Sequence, residues 1–532
     1  MTDKEVEVYD SFHSSESFVA DNRQIDYVSD AVAITEGKPW YRVPYLLKLN
    51  LCIFLITLTS TNNGYDGSML NGLQLLTSWN KKMSNPSGAV LGALSNGNTF
   101  GVLLSFAVGS YMSDKFGRKP CIIIGQIISI IGAILQGVST DYAFFFVSRL
   151  VIGFGSGFAT VSSPTLISEI AYPSHREVAT SFYNTCWYLG AIVAAWVTYG
   201  TRNIVSDYSW RIPSYLQGFF PLVQVLLFWI VPESPRYYIS KGKYDEAEQV
   251  LKKWHIGYSN DDKAVSFVKF EMNEIKAALE LEKLNSSSRY VDFVTNKRFR
   301  KRLFLICMTA VMMQLSGNGL VSYYLSKVLD SIGITDQSKK LEINGCLMIY
   351  NFVLSATVAA VVNRFKRRKI FITSISLMLI FYIIWTALSA INQQRNFKDK
   401  GLANGILAMI FLYYFAYDIG ANGLPFLYIT EILPYSHRTK GINIFQVAQN
   451  IIIVYNGFVN PIAMDAIEWK YYIVYCCILA AELVIFYFVF VETSGCTLEE
   501  VAKVFGEIPD ETALVTMTNN KEKPQVTHVE NV

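Results

Sequence analysis

The sequence predicts an all-helical integral membrane protein of twelve transmembrane helices, arranged as two pseudo-symmetric six-helix halves. Three observations carry that expectation. Apolar runs of about twenty residues, the length that crosses a bilayer, recur along the whole chain. Charged residues make up only 17% of the 532, and mean hydropathy is +0.28, a balance foreign to an ordinary soluble domain. The third is internal repetition. Ser168-Glu169-Ile170 and the loop Tyr172-Pro173-Ser174-His175-Arg176 return as Thr430-Glu431-Ile432 and Pro434-Tyr435-Ser436-His437-Arg438. Asp114 matches Asn363 in context, Glu169 matches Glu431 and Glu233 matches Glu492, at offsets of 249, 262 and 259 residues.

Residues 1–46 are polar and read as a disordered cytosolic tail. The N-terminal half, 47–236, holds helices near 47–66, 89–112, 120–138, 143–165, 180–200 and from Pro213 to Val231. The first is expected to end in the Gly-rich run Asn63 to Gly72, and 73–87, with Asn85-Pro86, to form an outer loop. A very short turn at Thr140-Asp141 separates helices 3 and 4. Residues 237–302 break the hydropathy. Apolar positions at helical period, as in Tyr244 to Leu251, predict amphipathic helices on the cytosolic surface. The C-terminal half, 303–505, holds helices near 303–329, 343–362, 370–391, 404–429, 441–463 and 471–491, and 506–532 form a polar tail.

Twelve spans put both termini on one side. The basic turns Lys115/Arg118/Lys119 and Arg364/Lys366/Arg367/Arg368/Lys369 fall on that same side. The positive-inside rule makes it the cytosol. A net charge of +3 gives no argument for nucleic acid. The eight scattered cysteines show no metal or disulfide spacing and read as small buried hydrophobes. No catalytic triad, nucleotide loop, metal set or cofactor motif suggests an enzyme. Gly153, Gly155 and Gly157 stand at every second position of an apolar helix. They point to close helix packing, not to a phosphate loop.

Asp66 and Arg149 are ionisable groups in or at the end of apolar helices. Charge at bilayer depth is costly and seeks a partner or a wet cavity. Two readings are open: a structural ion pair joining helices 1 and 4, or a proton switch. Burial favours the protonated acid and a nearby arginine favours the ionised one, so a changing separation would load and unload a proton.

Four motifs in order are similar to the signatures of the sugar porter family of the major facilitator superfamily. They are Asp114-Lys-Phe-Gly117-Arg118-Lys119, Ser168-Glu169-Ile-Ala, Pro232-Glu233-Ser-Pro235-Arg236 and Tyr428-Ile-Thr-Glu431-Ile-Leu-Pro434. They cover about residues 47–505. Within the family the chain most resembles fungal lactose permease-like sugar:proton symporters, through Gly64-Tyr-Asp66-Gly-Ser-Met-Leu-Asn71-Gly, Tyr183-Asn184 with Ala194-Ala-Trp196, and Ser316-Gly-Asn318-Gly-Leu-Val-Ser-Tyr-Tyr324. The resemblance implies a sugar carrier working by alternating access, with Asp66 and Arg149 coupling the proton. It implies a sugar site of Asn184, Gln314, Asn318, Asn351, Phe426 and Asn450, with Gln449 beside it. It also implies cytosolic gate charges: Asp114, Arg118, Glu169, Arg176 and Glu233 in the first half, and Arg367, Glu431, Arg438 and Glu492 in the second. Tyr323 and Tyr324 would form an outer gate.

The chain departs from the family pattern in several places. Met313-Gln314 replaces paired glutamines, Ala421-Asn422-Gly423 replaces the usual Trp and Pro of helix 10, Asn363 and Lys366 replace Asp and Gly, and Val491 and Ser494 replace Pro and Lys. The expected partners are a disaccharide or hexose, a proton and the lipid bilayer, for a monomer in the plasma membrane. A facilitative hexose or polyol carrier is the alternative, disfavoured by the acid at Asp66. A non-transporting sugar sensor is another, disfavoured by a last tail of only 27 residues.

Overall fold

The computed structural model describes residues 35, 38–284, 289–361, 365–397, 399–433, 435–494 and 505. The expected tails lie almost wholly outside these residues, as do Asn363, Arg364, Pro434 and Cys496. Among the described residues there is no strand. Among the described residues twelve helical units have membrane-crossing length: α1 Pro44–Leu75, α2 Gly88–Phe116, α3 Arg118–Val138, α4 Tyr142–Ile170, α5 Arg176–Thr201, α6 Tyr208–Leu216 with Phe219–Leu227, α7 Lys297–Leu315 with Asn318–Asp330, α8 Gln337–Val361, α9 Arg367–Gln394, α10 Lys400–Gly420 with Leu424–Ile432, α11 Tyr435–Ile467 and α12 Tyr471–Val489. Ten stretches qualify as spans on length and hydropathy alone. α5 is too polar to qualify, and α11 and α12 run together as Lys440–Val489.

Several boundaries differ from the sequence expectation, each for a physical reason. α1 continues through Asn63 to Gly72 and stops only at Leu75. Its glycines are tolerated because they meet a neighbour: a Cβ at Gly64 would lie 1.8 Å from the Trp187 carbonyl oxygen, and one at Gly72 would lie 2.6 Å from Thr198 Cγ2. The expected outer loop contains a short helix, Thr77–Lys82, held down by buried Trp79. Helix 7 is broken, not continuous. Gly317 sits at φ +104°, a left-handed conformation that glycine accepts readily, with the Tyr382 ring filling the space of a Cβ. Helix 10 is broken at Ala421–Gly423, and Pro425 opens its second piece. Of the cysteines, Cys52, Cys121 and Cys186 are buried as expected, but Cys346 and Cys477 are exposed.

Asp141 caps α4 by accepting from the Phe144 amide at 2.8 Å, and Asp399 caps α10 through the Gly401 amide at 2.9 Å. α4 is the centre of the first half, and its alternate glycines let two partners approach. A Cβ at Gly153 would lie 2.0 Å from the Asn98 carbonyl oxygen on α2, whereas one at Gly155 would lie 2.6 Å from that of Gly125 on α3.

Successive units run in opposite directions, so two ends can be named. The basic end carries the α2–α3 and α8–α9 turns and the surface helices Tyr244–His255 and Asp262–Leu284, which pack under α1 and α4 around Ile170, Leu251, Trp254 and Val268. At the opposite, far end, Tyr65, Met69, Trp79, Phe145 and Trp210 of the first half form one apolar cluster with Tyr324 of the second.

Candidate functional site

The two charges singled out in the sequence meet inside the first half. Arg149 of α4 is bidentate on Asp66 of α1, Nη1 to Oδ1 at 3.0 Å and Nη2 to Oδ2 at 3.1 Å, and both residues are buried. Planar guanidinium and carboxylate match in this geometry. Two amides complete the shell. Gln217 of α6 donates to Oδ1 at 2.7 Å, and Asn98 of α2 donates to Oδ2 at 2.5 Å. Each carboxylate oxygen therefore accepts twice, the full capacity of an ionised acid. Removing one member of such a pair strands the other charge and costs about 3–5 kcal/mol.

Asn98 is also part of the wall of a cavity of about 270 Å³ lying between the halves. Asn63 and Thr160 line it from the first half, and Phe426, Gln446, Gln449 and Asn450 from the second. Asn63 donates to Thr160 Oγ1 at 2.9 Å. Phe426 packs edge-on to Phe445, ring centroids 5.1 Å apart. The cavity reaches from mid-bundle toward the basic end, because its α2, α10 and α4 residues lie in the stretches that finish there.

The remaining expected sugar residues stand elsewhere. Asn318 opens the second piece of α7, donating to the Tyr417 hydroxyl at 3.1 Å and accepting from Ser322 at 2.8 Å. The Gln314 carbonyl accepts from Asn456 at 2.6 Å. Asn351 of α8 is fully buried, and neither of its side-chain polar atoms has a hydrogen-bond partner. Asn184 lies on α5 and is exposed.

Hydrogen bonds joining the halves cluster toward the far end. Asn71 of α1 donates to the Ser322 carbonyl, Gln74 to the Tyr323 carbonyl at 3.3 Å, and Asn96 of α2 to the Val454 carbonyl at 3.0 Å. Arg202 after α5 donates to Ser338 at 2.7 Å. Within the second half, Tyr324 leaves helical geometry (φ −137°, ψ 32°), and its hydroxyl donates to the Gly457 carbonyl at 2.7 Å. Nearer the middle, Tyr188 of α5 donates to Asp418 of α10 at 2.9 Å.

The charges at the basic end form two matching clusters. Arg118 pairs with Glu169 at 3.1 Å and with exposed Asp114 at 3.4 Å. Glu233 accepts the Arg118, Lys119 and Ser234 amides at 3.1, 3.0 and 2.8 Å, sitting on the N-terminus of α3. Burial pushes its carboxyl above the usual range even so. In the second half Arg367 pairs with Glu431 at 3.3 Å, and Glu492 accepts the Arg367 and Arg368 amides at 2.9 and 3.3 Å. The repeat seen in sequence is thus a repeat of geometry, and each of these pairs runs within one half. Arg176 opens α5 beside Glu274 and His255 of the surface helices. Arg438 lies near the start of α11, half-buried.

Sequence reasoning missed Gln217, Asn98 and Tyr188, neutral groups with no signal beyond being polar in apolar helices. It also passed over Asp418, which as a buried acid in a span carried the same signal as Asp66.

The model of the sugar (and other) transporter family matches residues 52–505. The MFS-type transporter oryC of Aspergillus oryzae is 31% identical over 418 residues, 77% of this chain and 75% of that protein. The low-affinity glucose transporter HXT4 of Saccharomyces cerevisiae is 29% identical, over 74% and 69%. Hexose transporter 2 of Kluyveromyces lactis is 26% identical, over 92% and 88%. Among solved structures, a partially occluded inward-open conformation of the Escherichia coli xylose transporter XylE superposes with a TM-score of 0.70 at 19% identity, covering 84% of this chain and 99% of the other. The bromo-deoxyglucose-bound form of that proton:xylose symporter gives 0.69 at 22%, covering 86% and 99%. With twelve helices in the major facilitator arrangement and a family match running from α1 to Phe505, the chain belongs to the sugar (and other) transporter family, and it is a membrane carrier, not an enzyme.

Proposed function

We propose that this protein is a sugar:proton symporter working by alternating access, with Asp66 as the proton carrier. The observation that carries the reading is the saturated carboxylate of Asp66. Asn98 touches both that carboxylate and the cavity, so it is the route by which water and a proton reach the acid. A proton arriving at Oδ2 displaces the Asn98 donor and loosens the Arg149 fork, freeing α2 and α4 to shift against α1. The basic end is read as the cytosolic side, on the charge of its turns. The far-end bonds then close the outer gate, including Tyr323 and Tyr324, and this arrangement is inward-facing. The paired charges of the basic end, Arg118–Glu169 and Arg367–Glu431, act as hinges that keep each half rigid while the halves separate. The carrier is read as a plasma-membrane monomer, its tails and surface helices in the cytosol.

The substrate is a disaccharide or a hexose. The lactose-permease-like motifs around Asp66 and Asn318 support the first, and the names of the hexose-transporting relatives support the second. Facilitative hexose transport is the competing mechanism. Reconstituted vesicles with an acid-outside gradient separate the two. Wild-type protein is expected to accumulate sugar, and Asp66→Asn to lose accumulation while still exchanging sugar down its gradient. Accumulation unchanged in Asp66→Asn sinks the symport reading.

A further inference from the structure

The far end holds a second cavity, of about 210 Å³, apart from the one that reaches toward the basic end. A water molecule takes up ~30 Å³ of the liquid, so there is room for a small solute. Both halves build the wall. Leu76, Thr77 and Ser78 come from the turn after α1, Arg202 to Val205 from the loop after α5, and Gln337 opens α8 of the second half.

Arg202 is the one charged group among the described residues of that wall. Its guanidinium is held on three sides. Nε donates to Ser338 at 2.7 Å, Nη1 donates to the Tyr199 carbonyl at 2.6 Å, and Cζ lies over the Tyr199 ring, 3.7 Å from its centroid. None of these partners is an acid, and the two bonds use two of its five N–H donors. The acids of the neighbouring loops are engaged elsewhere. Asp207 pairs with Lys82 and Arg211, Asp330 pairs with Lys340, and Asp336 accepts from the Lys339 amide. The three framing stretches, 76–85, 202–211 and 330–340, together hold six cations and three acids. Such a surplus is unexpected at the end opposite the basic turns.

We infer that this cavity is an anion site, taking a carboxylate or phosphate on Arg202, and that the bound anion holds the far end shut. A pre-positioned guanidinium fork matches the paired oxygens of either group. The hydroxyls of Thr77 and Ser78 and the amides of Asn203 and Gln337 supply further donors around it. The anion comes from a dissolved solute or from a lipid headgroup, and the chemistry is the same for both. Opening the far end carries Gln337 away from Arg202 and dismantles the wall, so the anion binds the closed arrangement better and shifts the balance toward it. This second part rests on the alternating-access reading; the binding itself does not.

The test uses purified full-length protein in phosphatidylcholine nanodiscs, titrated calorimetrically with citrate and with inorganic phosphate at constant ionic strength. Arg202→Gln is expected to weaken Kd about tenfold or more. Ser338→Ala removes the inter-half bond but keeps the cation, and is expected to bind as wild type does. Phosphatidylglycerol discs supply the headgroup. A rise in melting temperature there that needs Arg202, without citrate or phosphate binding in phosphatidylcholine, assigns the lipid as the source. Neither effect in wild type, or either one surviving in Arg202→Gln, overturns the site, as does a loss in Ser338→Ala equal to that in Arg202→Gln. In reconstituted vesicles the anion that binds, added on the far side, is expected to slow net sugar uptake at least twofold in wild type and not in Arg202→Gln. Uptake unslowed at saturating anion overturns the closing role. Arg202-dependent binding in a protein that moves no sugar leaves the site standing and removes the carrier reading. Sugar uptake without anion binding does the reverse.

Discussion

At Gly190 of α5 a Cβ would lie 1.7 Å from the Thr61 carbonyl oxygen, and at Gly64 of α1 it would lie 1.8 Å from that of Trp187. The two helices meet backbone to backbone, and neither neighbour is a side chain that can swing away. Gly200, ten residues on, has nothing within 4 Å of its Cβ position. Gly190→Ala is expected to destabilise the protein by about 1–3 kcal/mol or more through overpacking. Gly200→Ala is expected to be neutral or stabilising by up to about 1 kcal/mol from helix propensity. Thermal unfolding in detergent compares them, and equal melting temperatures refute the contact. What could be read at this scale from sequence was charge. Asp66 and Arg149 stood out because ionised groups are rare in apolar runs. Gln217 and Asn98, which complete the same shell, did not, because a neutral amide in a span is ordinary interhelical glue. Only the fold brings them from positions 151 and 32 residues away onto one carboxylate.

The surface helices show the same limit for whole elements. Their amphipathic period was plain from Tyr244 to Leu251, yet the group that fixes them was not. His255 ends its helix buried, with Nδ1 2.7 Å from Glu271 Oε2 and Nε2 3.2 Å from the carbonyl of Ile170, the last residue of α4. Both partners accept, so the imidazolium, which donates from both ring nitrogens, is the form that satisfies both bonds. Burial alone would push the His255 pKa down. The Glu271 charge, the bond to it and the Ile170 carbonyl outweigh burial and the repulsion from Arg176, and the net shift is upward. A folded pKa above the unfolded value, about 6.5, gives a contribution that is complete below that pH and lost as pH rises through the folded value. Hydrogen exchange over residues 244–284, corrected for intrinsic rates, is expected to lose protection as pH climbs from about 6.5 up through the folded value. In His255→Gln it is expected to be weaker and flat with pH. A wild-type profile as flat as the variant's removes the latch. The breaks in α7 and α10 were hidden for a related reason. Hydropathy runs smoothly through Gly317 and Ala421–Gly423, and only the packing of Tyr382 against Gly317 shows where the chain must turn.

For the whole molecule, the duplicated Glu169 and Glu431 loops made two halves legible before any coordinates. The state in which those halves stand was not, because it is decided by contacts between residues some 250 to 360 positions apart. α2 and α11 close the far end backbone to backbone. A Cβ at Gly92 would lie 2.5 Å from the Gly457 carbonyl oxygen and 3.0 Å from Phe458 Cα. Leucine there wedges this seam open. An overpacking cost of about 1–3 kcal/mol, borne only by the closed far end, shifts the balance of states by about 5- to 150-fold toward one open at that end. Thr160 lines the cavity that reaches toward the basic end, so a cysteine there reports access from that side. With exposed Cys346 and Cys477 replaced by serine, Thr160→Cys is expected to react readily with a charged maleimide applied from the basic side of the membrane. Adding Gly92→Leu is expected to slow that reaction at least fivefold and to abolish net sugar uptake, while sugar binding from the far side persists. Labelling at the original rate in the double variant means that the far-end seam does not govern which side the cavity faces.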